Sequence, residues 1–135
     1  MILFPMSCRV LHPGHIKCLE YLSRIDQVVV SLLTAKAMKG YKEEFTPYKD
    51  REKILKSLYL DLIVVPQNSL NPLSNLKKYK CDSIASGDGW EKEELEAIEK
   101  LGVRKINIKL PKKYSSTNII NNIKKYESFR NTGRH

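Results

Sequence analysis

Two of the three histidines in the chain stand three residues apart, in Leu11-His12-Pro13-Gly14-His15. Residues three apart on a helix share a face, and a proline is tolerated in a first helical turn. Two imidazoles at a helix start, beside free backbone N–H groups and the positive end of the helix dipole, are suited to receiving a phosphate chain. A histidine-rich turn would show the same five residues. Two further stretches carry chemistry-bearing types: Gly87-Asp88-Gly89-Trp90, where glycines flank a carboxylate beside an indole, and Ser115-Ser116-Thr117, where hydroxyls precede a helical pattern. A glycine turn and an ordinary helix cap are the plain alternatives for these two.

The elements that must position these residues follow from hydrophobic period. Residues 1–5 and Asp26–Leu33 are short, apolar and rich in β-branched types, as buried strands are. Between them Ile16, Cys18, Leu19, Tyr21 and Leu22 make an apolar stripe at helical spacing. The alternation continues with a helix from about Tyr48 to Leu60, a strand "DLIVVP", a helix around Pro72 to Tyr79, a strand "DSIAS", a helix Glu91 to Leu101 and a strand "VRKINIKL". The last helix, "STNIINNIKKY", opens on Ser115 or Ser116 as N-cap. This order predicts an α/β fold, a Rossmann-like doubly wound parallel sheet of about five strands with helices on both faces. In such sheets ligands bind beyond the carboxyl ends of the strands, where strand order reverses. The loops holding the two histidines, "GDGW" and "KKYSST" all follow strands and would share that edge.

The chain has 135 residues, the size of one ordinary domain, expected here over 1–127 with a basic, frayed tail at 128–135. A hydrophobic content of 41% and a charged content of 29% suit a globular protein in water. The longest apolar run, Val28 to Leu33, is too short to cross a bilayer, so no membrane partner is expected. The first ten residues lack the basic and long apolar regions of a signal peptide, which points to the cytoplasm. Cys8, Cys18 and Cys81 are odd in number and widely spaced, and read as reduced packing residues; no metal site is expected from them. The net charge of +9 attracts phosphate polymers. Its even spread, without aromatic residues interleaved to stack bases, argues against a nucleic-acid partner and suits small phosphorylated substrates.

His12-Pro13-Gly14-His15 matches the HxGH signature, and over roughly residues 1–125 the chain resembles the HxGH nucleotidyltransferase superfamily, specifically its small cytidylyltransferase-like members. Ser115-Ser116-Thr117-Asn118-Ile119-Ile120 resembles the second signature of that superfamily. Gly87-Asp88-Gly89-Trp90 resembles the "GDDW" segment of glycerol-3-phosphate cytidylyltransferases, and Lys39-Gly40 followed by Arg51 resembles the "KG" and later arginine of bacterial sugar-phosphate nucleotidyltransferases. The resemblance implies attack of a phosphomonoester oxygen on the α-phosphate of a nucleoside triphosphate, with release of pyrophosphate. Such chemistry rests on positioning and charge stabilisation. By resemblance His12, His15, Lys39 and Arg51 would be catalytic. Ser7, Gly14, Lys42, Gly87, Asp88, Trp90, Lys112, Ser115, Ser116 and Thr117 would bind nucleotide. Mg2+ would accompany the triphosphate, and a homodimer is implied. For the lysines and for Arg51 the alternatives are a solvated loop lysine and an exposed helix arginine.

The chain departs from these relatives in two places. Where they read GTFD before the first signature, it has Met6-Ser7-Cys8-Arg9, which removes a glycine and reverses the charge of an aspartate. Where cytidylyltransferases read RTEGIS, it has Lys112-Lys113-Tyr114 before Ser115. The expected reaction is transfer of CMP from CTP to a small phosphorylated alcohol. The alternatives are adenylyl transfer to a sugar phosphate or flavin mononucleotide, and a relative that binds a nucleotide without turnover.

Overall fold

The computed structural model describes residues 1–109 and 120–125. Its strands are β1 (Ile2–Met6), β2 (Val28–Leu33), β3 (Leu62–Gln67), β4 (Ser83–Ser86) and β5 (Arg104–Asn107), all parallel in the order β3-β2-β1-β4-β5. The helices are α1 (Pro13–Ile25), α2 (Ala35–Met38), α3 (Tyr48–Lys56), α4 (Leu73–Lys78) and α5 (Lys92–Leu101). Every residue of β2 is buried. A strand covered on both faces must be apolar throughout, which is why "VVVSLL" shows no alternation.

Alternate side chains divide the core into two layers. Ile2, Phe4, Met6, Val28, Val30 and Leu32 face Cys18, Leu19 and Leu22 of α1 and Leu55 of α3. Leu3, Val29, Val65 and Ile84 face Leu76 of α4 and Ile98 of α5. Helices therefore cover both faces, and the fold is the Rossmann-like α/β arrangement that the alternation of elements implied. Leu19 and Leu22 are fully enclosed, and each contributes roughly 1.5–3 kcal/mol by leaving water.

The differences from expectation have local causes. Tyr21 is 50% exposed, because α1 turns the stripe through Cys18, Leu19 and Leu22 to the sheet. Helix α3 stops at Lys56, not near Leu60. The Ser57 hydroxyl donates to the Ile54 carbonyl at 2.6 Å, and Leu58 and Leu60 then turn inward onto the α1 layer. Helix α2 was not foreseen. It is four residues long, too short to show a period, and Thr34 caps it by accepting from the Ala37 N–H at 3.3 Å. Residues 120–125 are helical, as expected for the last helix. The rest of that helix, Lys112, Ser115, Ser116, Thr117 and the tail 128–135 lie outside the described residues. Among the described residues no helix is long and apolar enough to cross a membrane.

Strand order reverses between β1 and β4, so the crevice where a ligand is bound lies beyond their carboxyl ends. The loop after β1 enters α1 there. The loop after β2 flanks it on one side and the loop after β4 on the other.

Candidate active site

The two histidines cap α1 reciprocally. His12 is the N-cap, in an extended conformation, and its Nδ1 accepts from the Gly14 N–H at 3.1 Å. The His12 N–H in turn donates to His15 Nδ1 at 3.3 Å. This is a capping box in which imidazoles stand where hydroxyl and carboxylate side chains usually do. The rings stack with centroids 3.8 Å apart and planes inclined by 25°. Because each Nδ1 accepts, the proton of each neutral ring sits on Nε2. The sequence suggested free backbone N–H groups at this helix start, and the structure differs. Pro13 has none, Gly14 gives its own to His12 Nδ1, and His15 gives its own to the His12 carbonyl at 3.0 Å, so these first amides of the helix are already bonded.

Both rings are neutral at pH 7. Burial lowers the pKa of His12. Burial, then the nearby charges of His12 and Lys42, bring that of His15 down to about 4. Two neutral stacked imidazoles avoid the repulsion that two imidazolium rings at this spacing would suffer.

Arg51 fastens the strand ends from which the loops after β1 and β2 start. It is 1% exposed, which excludes the exposed-helix alternative. Its Nη1 donates to the carbonyls of Ser7 and Leu33, both at 2.7 Å, and its Nε to that of Thr46 at 2.8 Å. Its Nη2 donates to a Glu44 carboxylate oxygen at 2.6 Å. One guanidinium thus ties the end of β1, the end of β2 and the loop before α3 together. The expectation of a substrate contact finds Arg51 within the frame of the site, a positioning residue bonded to protein. Ser7 enters that frame through its carbonyl.

Backbone strain sits next to Ser7. Cys8 has φ of 50°, a left-handed conformation uncommon for a side chain with a β-carbon. Met6, where the relatives have glycine, lies in ordinary extended strand and is buried in the core. The sharp turn out of β1 is therefore made at Cys8. Burial raises the Cys8 and Cys18 thiols to about 11, so both stay protonated and inert, as packing residues should.

The flanking loops differ in character. After β4, Gly89 has φ of 80°. The Ser86 hydroxyl donates to its carbonyl at 3.0 Å and accepts from the Asp88 N–H at 3.2 Å. This turn leaves Gly87 and Asp88 exposed, while Trp90 is half-buried against the α5 layer. After β2, Lys39 ends α2 and is exposed. Lys42 is half-buried and lines a cavity of about 540 Å3 with Arg9, Gly40, Tyr41 and Glu43. Burial, then the charge of Arg9, lower the Lys42 pKa, while Asp88 opposes the shift. Lys42 thus lies close enough to act electrostatically on His15 and to feel Asp88 of the "GDGW" turn, and Lys39 lies in the same loop as Lys42.

With this geometry in hand, comparison with known proteins is informative. The cytidylyltransferase-like family model matches residues 10–122. The chain belongs to the cytidylyltransferase-like family of nucleotidyltransferases. It is 26% identical over 131 residues to the bifunctional protein HldE of Magnetococcus marinus, a match covering 90% of this chain and 27% of that protein. The chain thus spans about a quarter of that relative. The crystal structure of the lipopolysaccharide core biosynthesis protein from Thermoplasma volcanium is similar in fold, with a TM-score of 0.66 and 21% identity over 82% of this chain and 94% of that one.

Within the family frame, the structure adds to the sequence reading of this cytidylyltransferase-like chain at two residues. The burial of Arg51 left no signal, because charged residues surround it in "YKDREKIL". Arg9 stood out only as a departure from the relatives, yet it shares a cavity with Lys42.

Proposed function

We propose that the protein transfers CMP from CTP to a small phosphomonoester, glycerol-3-phosphate-like or another phospho-alcohol, giving a CDP-alcohol and pyrophosphate. An oxygen of the acceptor phosphate forms a bond to the α-phosphorus as the bond from that phosphorus to the bridging oxygen breaks, and the electron pair leaves with pyrophosphate. The observation that carries this reading is the histidine cap, which leaves the proton of each neutral ring on Nε2 at the helix end beside the strand-order reversal. Neutral donors suit an α-phosphate and a leaving group on which charge develops, since they stabilise that charge without a proton transfer. The α1 dipole adds to the effect within its first turn. Asp88 and Trp90 support nucleoside recognition on the β4 side. Lys112 and Ser115–Thr117 are the remaining candidates for the triphosphate, Lys39 and Lys42 for the triphosphate or the acceptor, and Gly14 for close approach of the nucleotide.

Mg2+ belongs to this reading as the counter-ion that arrives on the triphosphate. Among the described residues no group of three histidine, cysteine or carboxylate side chains forms a metal cage. Mg2+ is held in such reactions by phosphate oxygens and water with one or two carboxylates, and Asp88 is the carboxylate nearest in kind. A homodimer is proposed from the resemblance, and sedimentation equilibrium tests it.

A second reading, adenylyl transfer to a sugar phosphate or flavin mononucleotide, is favoured by the Lys39-Gly40 spacing. Pyrophosphate release, measured with CTP and with ATP against a panel of phosphorylated alcohols and sugars, separates the two. Release dependent on CTP and abolished by His15→Ala supports the first. Binding of nucleotide without release from any pair leaves a module that holds a nucleotide and does not turn it over.

A further inference from the structure

The cavity after β2 contains a cation that the reaction above does not use. Arg9 leaves β1 just after the left-handed turn at Cys8, and its guanidinium lies over the Phe45 ring, 5.7 Å from the centroid. Its one hydrogen bond among the described residues is long, from Nη1 to the Glu43 carbonyl at 3.5 Å. Its Nε is shielded from solvent and has no acceptor among those residues. A shielded N–H without an acceptor is costly, and a guanidinium set on an aromatic face is pre-organised for a planar anion. Lys42 shares the cavity. The facing carboxylates are accounted for or distant in role. Glu43 pairs with Lys124 at 3.4 Å, Lys124 also stands over Phe45, Glu44 pairs with Arg51, and Asp88 approaches Lys42 from the β4 side.

Topology says which substrate would meet this pair. The histidines sit between two flanks. The β4 flank offers a carboxylate and an indole, groups suited to ribose and base. The β2 flank offers cations around a cavity. A nucleotide on the first leaves the second for the acceptor.

We infer that Arg9 and Lys42 bind a second anionic group of the acceptor, a carboxylate or phosphate distinct from the phosphomonoester that reacts. The inference rests on the nucleotidyl-transfer reading and narrows its acceptor to doubly anionic molecules. The guanidinium fork takes the planar group bidentately, and Lys42 supplies a second point charge. Phe45, held in turn by Lys124, fixes the plane of the fork.

The test is calorimetric titration of the full chain at low salt with 3-phosphoglycerate and with glycerol 3-phosphate, probes that differ by one carboxylate. The expected result is binding of 3-phosphoglycerate about tenfold or more tighter, the size of a charge-assisted contact. Arg9→Gln should remove the difference and Arg9→Lys should keep part of it, with CTP affinity unchanged in both. Lys42→Gln provides a second variant should Arg9→Gln fail to fold, and it should also shrink the difference. Equal binding of the two probes overturns the inference, as does discrimination that survives Arg9→Gln. So does a loss of CTP affinity matching the loss for 3-phosphoglycerate, which would assign the cations to the triphosphate. Failure of the underlying reading has a different signature: discrimination between the probes persists while no nucleotide and acceptor pair releases pyrophosphate.

Discussion

Replacing Arg51 by Met should destabilise the frame of the site. The side chain is 1% exposed and makes four hydrogen bonds, one to a carboxylate. Met preserves most of the aliphatic volume, so the cost is almost wholly polar. Glu44 is 26% exposed and can be rehydrated, so loss of the ion pair costs only about 1 kcal/mol, while the carbonyls of Ser7, Leu33 and Thr46 lose a donor at up to about 1–3 kcal/mol each where water cannot replace it. Water reaches the loop end at Thr46 more readily than the strand end at Leu33, so a total of about 4 kcal/mol is expected. Against a domain stability of about 5–15 kcal/mol this is a large fraction, and for 135 residues it lowers Tm by roughly 10–20 °C. Urea unfolding followed by circular dichroism should show a lower midpoint at unchanged slope. A variant with wild-type midpoint and a raised Michaelis constant would refute this placement of Arg51 and make it a substrate contact.

Other expectations follow from the histidine cap and the buried thiols. His15→Ala should lower turnover by about a hundredfold or more, with stability reduced by only about 1 kcal/mol for the lost cap; unchanged turnover would remove the ring from the mechanism. The pH dependence has a definite sign. The His15 pKa is lowered in the fold to about 4, so the stability it leaves intact above the unfolded value near 6.5 is lost as pH falls from 6.5 toward 4, by at most about 3 kcal/mol. A histidine NMR titration should give a midpoint near 4 and Nε2–H tautomers at pH 7, and a midpoint near 6.5 would contradict the burial argument. Cys8, Cys18 and Cys81 are buried and free, with thiol pKa values raised by burial. A thiol reagent should therefore label the native chain far more slowly than the urea-unfolded chain, and equal rates would count against their burial.

The strands were readable because burial on both faces leaves an unbroken apolar record, as in Val28–Leu33. The histidine pair was readable because the spacing in "HPGH" is fixed by the helix it opens. Its detail was not: a sequence cannot tell that His12 and His15 cap each other through Nδ1, which decides that Nε2 carries the proton. Arg51 was hidden for a related reason. Burial of one charged residue among the several in α3 leaves its period unchanged, and the partners Ser7, Leu33 and Thr46 come from three separate places in the chain. Tyr21 and the end of α3 were misjudged because the face that α1 turns to the sheet and the inward turn of Leu58 and Leu60 are tertiary effects. Arg9 was visible only as a reversed charge; its contact with Phe45 and its cavity with Lys42 required the fold.

The most direct measurement is thermal unfolding in the presence of CTP, ATP, GTP and UTP, each with and without Mg2+. A nucleotide at a hundred times its dissociation constant stabilises the folded chain by about 2.7 kcal/mol, a shift of roughly 10 °C for a domain of this size. The expected result is a selective shift by CTP, larger with Mg2+. A shift by ATP alone would contradict the cytidylyl reading, and no shift with any of the four would contradict nucleotide transfer at this site altogether.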